Sequence, residues 1–387
     1  MDDPVYFMLD VSPPDLLYLF MMVGKADDAS AIAFNPAGIT QIPGSSYMTG
    51  LTFIMPRGTV TEVGGSAVNL AEHTFIPPHF YYTRQMSDTV WFELGLMSRF
   101  GLGTDFPEDW FGRYNSYYAN IQSVSLNPNI AWKATDDLSL SVGVEGIWFE
   151  YGSKKALNSA PTLTGAYLLG DDYSWGWNLG AHWKANDKVR VGFSYRSEIE
   201  LTIEGNAEIY GTSGHVTRAH GDITLPEMFM GGVAVQVNDK TSVEVGAIYT
   251  GWSSYDEMVL VYEHFPLAAS GEYVKATPKN YKNVWRYQLG IEYKKSPEWT
   301  WRFGYTYDQS PIPDDTIDYQ LPMSDRHLLS VGFGYTKNDR TWDFAYTYLM
   351  ADDRTIAGRP GSPDYIVDST TSNMDANIFV VSYSVRF

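Results

Sequence analysis

Stretch after stretch of this chain places an apolar residue at every second position, the period of a β-strand rather than a helix. At 299–308 one face carries Trp299, Trp301, Phe303, Tyr305 and Tyr307, and the other Thr300, Arg302, Gly304, Thr306 and Asp308. At 285–293 the faces are Trp285, Tyr287, Leu289, Ile291 and Tyr293 against Arg286, Gln288, Gly290 and Glu292. At 189–196 Val189, Val191, Phe193 and Tyr195 oppose Arg190, Gly192, Ser194 and Arg196. The C-terminus alternates Phe379, Val381, Tyr383, Val385 and Phe387 with small or polar residues. Segments 138–145, 175–184, 241–249, 328–335 and 342–350 read the same way.

A soluble sandwich also alternates, so the two faces must be compared. The apolar face is dense in Trp and Tyr, too bulky in sum to fill a small closed interior. The other face carries glycine, serine and charges, including Glu244 and Glu292. Both facts fit rings turned outward to lipid around a wet lumen. In lipid the sheet must close, because an open edge would leave backbone groups unpaired.

About fourteen strands are expected, near 45–58, 74–85, 89–100, 117–133, 138–152, 173–184, 189–206, 216–237, 241–261, 281–293, 298–308, 324–335, 341–351 and 373–387. Connections alternate. Short ones (86–88, 134–137, 185–188, 238–240, 294–298, 336–340) follow long ones (59–73, 101–116, 153–172, 207–215, 262–280, 309–323, 352–372). Short periplasmic turns and long external loops are the habit of outer-membrane barrels. The fold class expected is all-β: a fourteen-stranded antiparallel transmembrane barrel over 45–387, plugged by a small, partly helical N-terminal hatch over 1–44. Within the hatch, 26–39 (ADDASAIAFNPAGI) predicts a short helix broken at Asn35–Pro36. Residues 1–24 begin with acid rather than base, unlike an export signal.

Composition narrows the functions. Aromatics make up 15%, with 28 Tyr and 12 Trp, in keeping with aromatic girdles. There is no cysteine, which excludes disulfides, thiolate metal sites and a Cys nucleophile. A net charge of −19 argues against nucleic-acid binding. Acidic groups at Asp314, Asp315, Asp318, Asp352 and Asp353 fall in external loops, where they are solvated or bridged by divalent cations to lipopolysaccharide. No apolar run is long enough for a transmembrane helix. The seven histidines show no metal-binding spacing, and no GxSxG, phosphate loop or dinucleotide fingerprint occurs.

Four stretches carry a family resemblance: ADDASAIAFNPAG at 26–38, SRFGLGTDF at 98–106, YRSE at 195–198 with LPEM at 225–228, and DQSPIP at 308–313 with Asp325–Arg326. In order and spacing the chain resembles the FadL/TodX (OmpP1) family of outer-membrane transporters of long-chain fatty acids and hydrophobic compounds. The resemblance implies passive, ligand-gated uptake. Ligand is captured at an apolar groove among the external loops and moves to an interior pocket. A hatch movement then opens a path to a gap at a kinked third strand, and ligand leaves sideways into the membrane. By position the gate kink falls at Ser98, Arg99, Phe100 and Gly101, the hatch break at Asn35, Pro36, Ala37 and Gly38, and the carboxylate-holding positions at Lys155 and Lys282.

Several of these residues also have an ordinary reading. Lysines at a strand–loop boundary are commonly solvated. Phe100, Leu102, Phe106, Trp110, Phe111 and Tyr114 form a candidate capture groove or part of the outer girdle, and Tyr117 and Tyr118 lean to the girdle. NPAG could be a plain turn. The expected partners are a fatty acid or other hydrophobic small molecule, outer-membrane lipid and lipopolysaccharide, and the barrel-assembly machinery through Phe387. No cofactor, catalytic set or nucleic acid is implied, and the barrel is expected to be a monomer in the bacterial outer membrane. The rivals are an aromatic-hydrocarbon channel of the toluene-transporter type, a barrel lipase and an open porin.

Overall fold

In a computed structural model the fourteen strands close on themselves. The structure describes residues 23–160, 163–211, 215–264, 271–361 and 365–387. The expectation for residues 1–22 lies outside the described residues. In chain order the barrel strands are β1 Ser45–Glu62, β2 Pro78–Gln85, β3 Val90–Met97, β4 Tyr118–Lys133, β5 Leu138–Ala160, β6 Leu163–Lys184 and β7 Val189–Arg196. They continue as β8 Met228–Asn238, β9 Thr241–Thr250, β10 Val284–Lys294, β11 Trp299–Asp308, β12 Arg326–Lys337, β13 Arg340–Ala351 and β14 Ser369–Arg386. Each pairs antiparallel with its neighbour in sequence. β14 closes on β1 through a long ladder from Ser46↔Arg386 to Glu62↔Ser369, which completes the ring of fourteen strands.

The faces divide as the alternation predicts. Tyr173 (74% exposed), Trp175 (71%), Phe303, Trp285 and Phe344 stand on the outside, where lipid replaces water. Their inward neighbours, such as Asn178, Gln288, Glu292 and Thr306, are buried.

Two expected loops, 153–172 and 207–215, are largely strand among the described residues, and a third, 262–280, is strand in part. β5 and β6 run well past 153–172. Above β7–β10 the ladder continues through Ile199–Gly211, His215–Leu225, Glu257–Tyr262 and Tyr273–Pro278. Inward apolar positions persist there (Ile203, Ala207, Ile209), and pairing satisfies the backbone more completely than a loop would. The single strand expected over 216–237 is broken at Pro226, which has no N–H to give to a ladder.

Ahead of β1 the chain makes two 3-10 turns, Ala29–Ala33 and Pro36–Gln41, in place of one helix. Asp28 caps the first by accepting from Ser30 N at 2.9 Å. Asn35 precedes the second, whose first residue is Pro36. Both turns are buried inside the barrel, against β4, β5 and β6 for the second and β2 and β3 for the first.

Candidate functional site

The hatch is seated by a ring of lumenal side chains from many strands. Trp91 on β3 donates its indole N–H to Ile42 O at 2.8 Å. Thr40 and Ser139 on β5 share a hydroxyl bond of 2.6 Å. His182 on β6 meets Gly24 O at 2.9 Å, and Ser194 on β7 donates to Phe34 O. Glu244 on β9 accepts from Gly24 N at 2.7 Å and Lys25 N at 3.1 Å. Lys25 reaches Glu292 on β10 at 2.8 Å and Asp27 at 3.3 Å. Burial pulls the Lys25 ammonium down, but the carboxylates of Asp27 and Glu292 outweigh it and hold its pKa above the usual lysine range.

The break residues Asn35, Pro36, Ala37 and Gly38 are all buried in this seat. Asn35 Nδ2 donates to Val23 O at 2.9 Å and to Ala181 O on β6 at 3.0 Å. The seat depends on close approach to Gly192: a Cβ there would fall 1.7 Å from Val23 O.

Ser98–Gly101 is a break in the wall. Met97 pairs with Ser125, and ladder pairing resumes at Leu102↔Ile121. Four residues on one side thus face three on the other, the signature of a bulge. Ser123 bridges the break with its side chain, accepting from Phe100 N at 2.9 Å and donating to Phe100 O at 2.6 Å. Arg99 turns inward, buried, and donates to Glu145 on β5 at 2.8 Å. The short strand Leu102–Asp105 beyond the break pairs with β4, and its other side meets the 63–77 loop, where Ala71 N donates to Asp105 O at 2.8 Å.

The aromatic residues of the expected groove separate. Phe106 stacks on Trp110 at 4.0 Å, and Tyr319 meets Trp110 edge-on at 4.7 Å. With Phe111, Ile312, Ile356 and Ile366 they form a packed cap over the barrel mouth. Tyr114 lies at its rim beside Tyr365. Phe100 packs instead with a second cluster around Phe149, Leu168 and Met258. The side chain of Leu102 lies outside the described residues.

Two apolar cavities occupy the upper lumen. One is lined by Phe149, Tyr151, Leu168, Ile203, Met258 and Leu260 among others. The other is lined by Ile54, Phe75, Leu321, Met323 and Leu349, and by Gly103 and Thr104 just after the wall break. The 309–323 loop descends between them. Gln320 accepts from Tyr151 Oη at 3.3 Å, and its carbonyl accepts from Thr104 at 3.2 Å. Two residues earlier in that loop, Asp318 pairs with Lys279 at 2.5 Å, both groups buried.

The two lysines singled out from sequence are not brought together. Lys155 is half-buried on β5 with its ammonium against Lys275. Lys282 is exposed, and its backbone N–H donates to Pro311 O at 2.9 Å. Sequence reasoning missed Lys279, three residues earlier; nothing in its local pattern distinguishes it from Lys282, and burial by the 309–323 loop sets it apart. Arg196 and Glu145 were also missed as a pair. The charge at an inward strand position was visible for Arg196, but not its partner.

Comparison with known proteins follows this geometry. The chain is 23% identical to the long-chain fatty acid transport protein of Escherichia coli O6:H1, over 89% of this chain and 86% of that one. It is 23% identical to outer membrane protein P1 of Haemophilus influenzae, over 94% and 90%. Among solved structures it superposes on a Pseudomonas aeruginosa FadL homologue with a TM-score of 0.84 at 19% identity, covering 98% of this chain and 99% of that one. The Pseudomonas putida toluene transporter TodX gives a TM-score of 0.74 at 20% identity, covering 93% and 94%. At those identities the structures establish a shared fold. The family profile described as outer membrane protein transport protein (OMPP1/FadL/TodX) matches residues 22–387, and the chain therefore belongs to that outer-membrane family.

Proposed function

We propose that this barrel carries long-chain fatty acids across the outer membrane and releases them sideways at Ser98–Gly101. One observation carries the reading. The apolar cavity lined by Gly103 and Thr104 begins two residues past the bulged break in the wall. A hydrophobic ligand that leaves this cavity through the break enters lipid, and downhill partition supplies the drive. In this reading residues 1–44 act as the hatch and 45–387 as the barrel. Phe106, Trp110, Phe111 and Tyr114 form the capture surface with Phe100 and Leu102, and Lys155 and Lys282 attract the carboxylate at the mouth. Surrounding lipid and lipopolysaccharide receive the outer face, and the assembly machinery reads Phe387, which is exposed at the C-terminus.

A second reading, uptake of uncharged aromatic hydrocarbons, draws on a specific feature. The buried cation between the cavities, Lys279, is already neutralised by Asp318. Uptake of labelled oleate and of toluene by cells that lack other such transporters decides between them. Oleate entry that depends on this protein supports the first, toluene entry alone the second, and neither removes both.

A further inference from the structure

Four ionisable side chains are buried together beside the hatch, and one has no partner among the described residues. Arg99 and Arg196 (each 3% exposed) both donate to Glu145 Oε2, at 2.8 and 2.9 Å. Arg196 also holds the hatch: its Nη2 donates to Ile32 O at 2.7 Å and Ala33 O at 3.3 Å. The fourth group, Glu93 on β3, is 0% exposed, and neither carboxylate oxygen has a partner among the described residues.

Geometry sets Glu93 next to this cluster. Arg196 Nη1 donates to Asn127 Oδ1 at 3.2 Å, and Asn127 lies directly opposite Gly95 on β3. Glu93 is the next inward position on that strand. Ile32 packs over Gly95 as well, its Cδ1 3.1 Å from where a Cβ would sit. Glu93 itself lies between Thr83 on β2 and Asn129 on β4, whose Oγ1 and Oδ1 are also unpartnered among the described residues. The Glu93 carboxyl, buried between these two neighbours, is thus left with no donor among the described residues. A guanidinium, with its fork of donors and no acceptor, is the group that matches it. Charge agrees: two arginines against one glutamate leave a positive excess, which Glu93 cancels once it ionises on receiving the guanidinium.

We propose that Glu93 is the second berth of Arg196, occupied when the hatch withdraws. Loss of the Ile32 and Ala33 carbonyls frees Nη2, the guanidinium turns to Glu93, and its hold on Glu145 is released. Glu145 is then left to Arg99, which stands in the wall break, so hatch position and break are joined through one carboxylate. Two alternative pairings of one arginine make a two-state element of the kind packed interiors favour over continuous deformation. This inference rests on the transport reading above but is tested separately.

The chain has no cysteine, so Ala33→Cys gives a single label site in the hatch. The expected result is that oleate speeds maleimide labelling there, and that Glu93→Gln reduces the increase about tenfold while changing oleate affinity less than about twofold. Glu145→Gln should label fast without any ligand, because Arg196 then keeps a carboxylate only at Glu93. Adding Glu93→Gln to that variant should slow labelling again. Glu93→Gln labelling like the parent under oleate, or the double variant labelling like Glu145→Gln, overturns the proposal and leaves Glu93 a carboxyl solvated by buried water. If oleate neither binds nor triggers labelling in the parent, the transport reading fails, and the ligand-free comparison of the two Glu145 variants still decides the exchange.

Discussion

Arg99, in the break after β3, and Arg196, at the end of β7, close on a single oxygen of Glu145 at 2.8 and 2.9 Å. One of them sits in the break in the barrel wall and the other grips the hatch carbonyls. A contact between the hatch and the wall break is thus built from three side chains, each on a different stretch of wall. Burial of these ions costs several kcal/mol, and the shared carboxylate and added backbone acceptors offset it.

Adding bulk at Gly101 is expected to slow release without touching capture. Gly101→Val places two methyl groups in the break, away from the cap aromatics and from Lys279. Oleate binding measured by calorimetry should be unchanged while uptake into cells falls severalfold. Equal loss of binding and uptake would contradict a sideways exit at this position.

The Lys279–Asp318 pair gives a ligand-specific stability test. Asp318→Asn leaves a buried ammonium uncompensated, at a cost of about 3–5 kcal/mol to the cap region. A fatty-acid carboxylate can replace the lost charge, so oleate should raise the Tm of this variant more than it raises the parent's, and dodecane should not. Lys282→Ala is expected to weaken oleate binding by less than about 1 kcal/mol, because Lys282 is exposed.

Gly192→Val should unseat the hatch. The new Cβ would meet Val23 O at 1.7 Å, a backbone atom that cannot step aside without the 23–24 segment moving. Ion conductance in planar bilayers is expected to rise while the barrel keeps its resistance to unfolding in detergent. Unchanged conductance would show that the hatch adjusts elsewhere.

The cap should fail without the barrel failing. Trp110→Ala removes the ring between Phe106 and Tyr319, at a cost of about 3–5 kcal/mol. That loss falls on loops, so limited proteolysis from outside should cut near 107–116 and 312–323 while the membrane-embedded strands stay protected.

The lipid face can be separated from the lumen face on one strand. Phe303→Arg, on the outside of β11, is expected to cost about 2–4 kcal/mol of folding stability in bilayers. A polar replacement at inward Thr306 should cost less. Reversal of that order in lipid refolding would place the faces the other way round.

How far the chain could be read shows at particular residues. Trp299 to Tyr307 announced an outward face because lipid selects apolar groups at every second position, a local and repeated demand. Pro226 should have marked a strand break and was passed over within a long alternating run. The bulge after Met97 was legible only as a glycine in the right place. Its one-residue offset appears only when Leu102 is set against Ile121.

From the sequence alone come the strand count, the direction of each face, the N-terminal plug and the family, since each follows from short-range periodicity or from motifs in order. Tertiary structure alone decided which lysine is buried, that most of the expected groove aromatics close into a cap, and that Arg99, Arg196 and Glu145 meet while Glu93 has no partner among the described residues. Those facts depend on strand register and loop descent across tens to hundreds of residues. Barrel closure fixes that register globally, so no local window of the chain contains it.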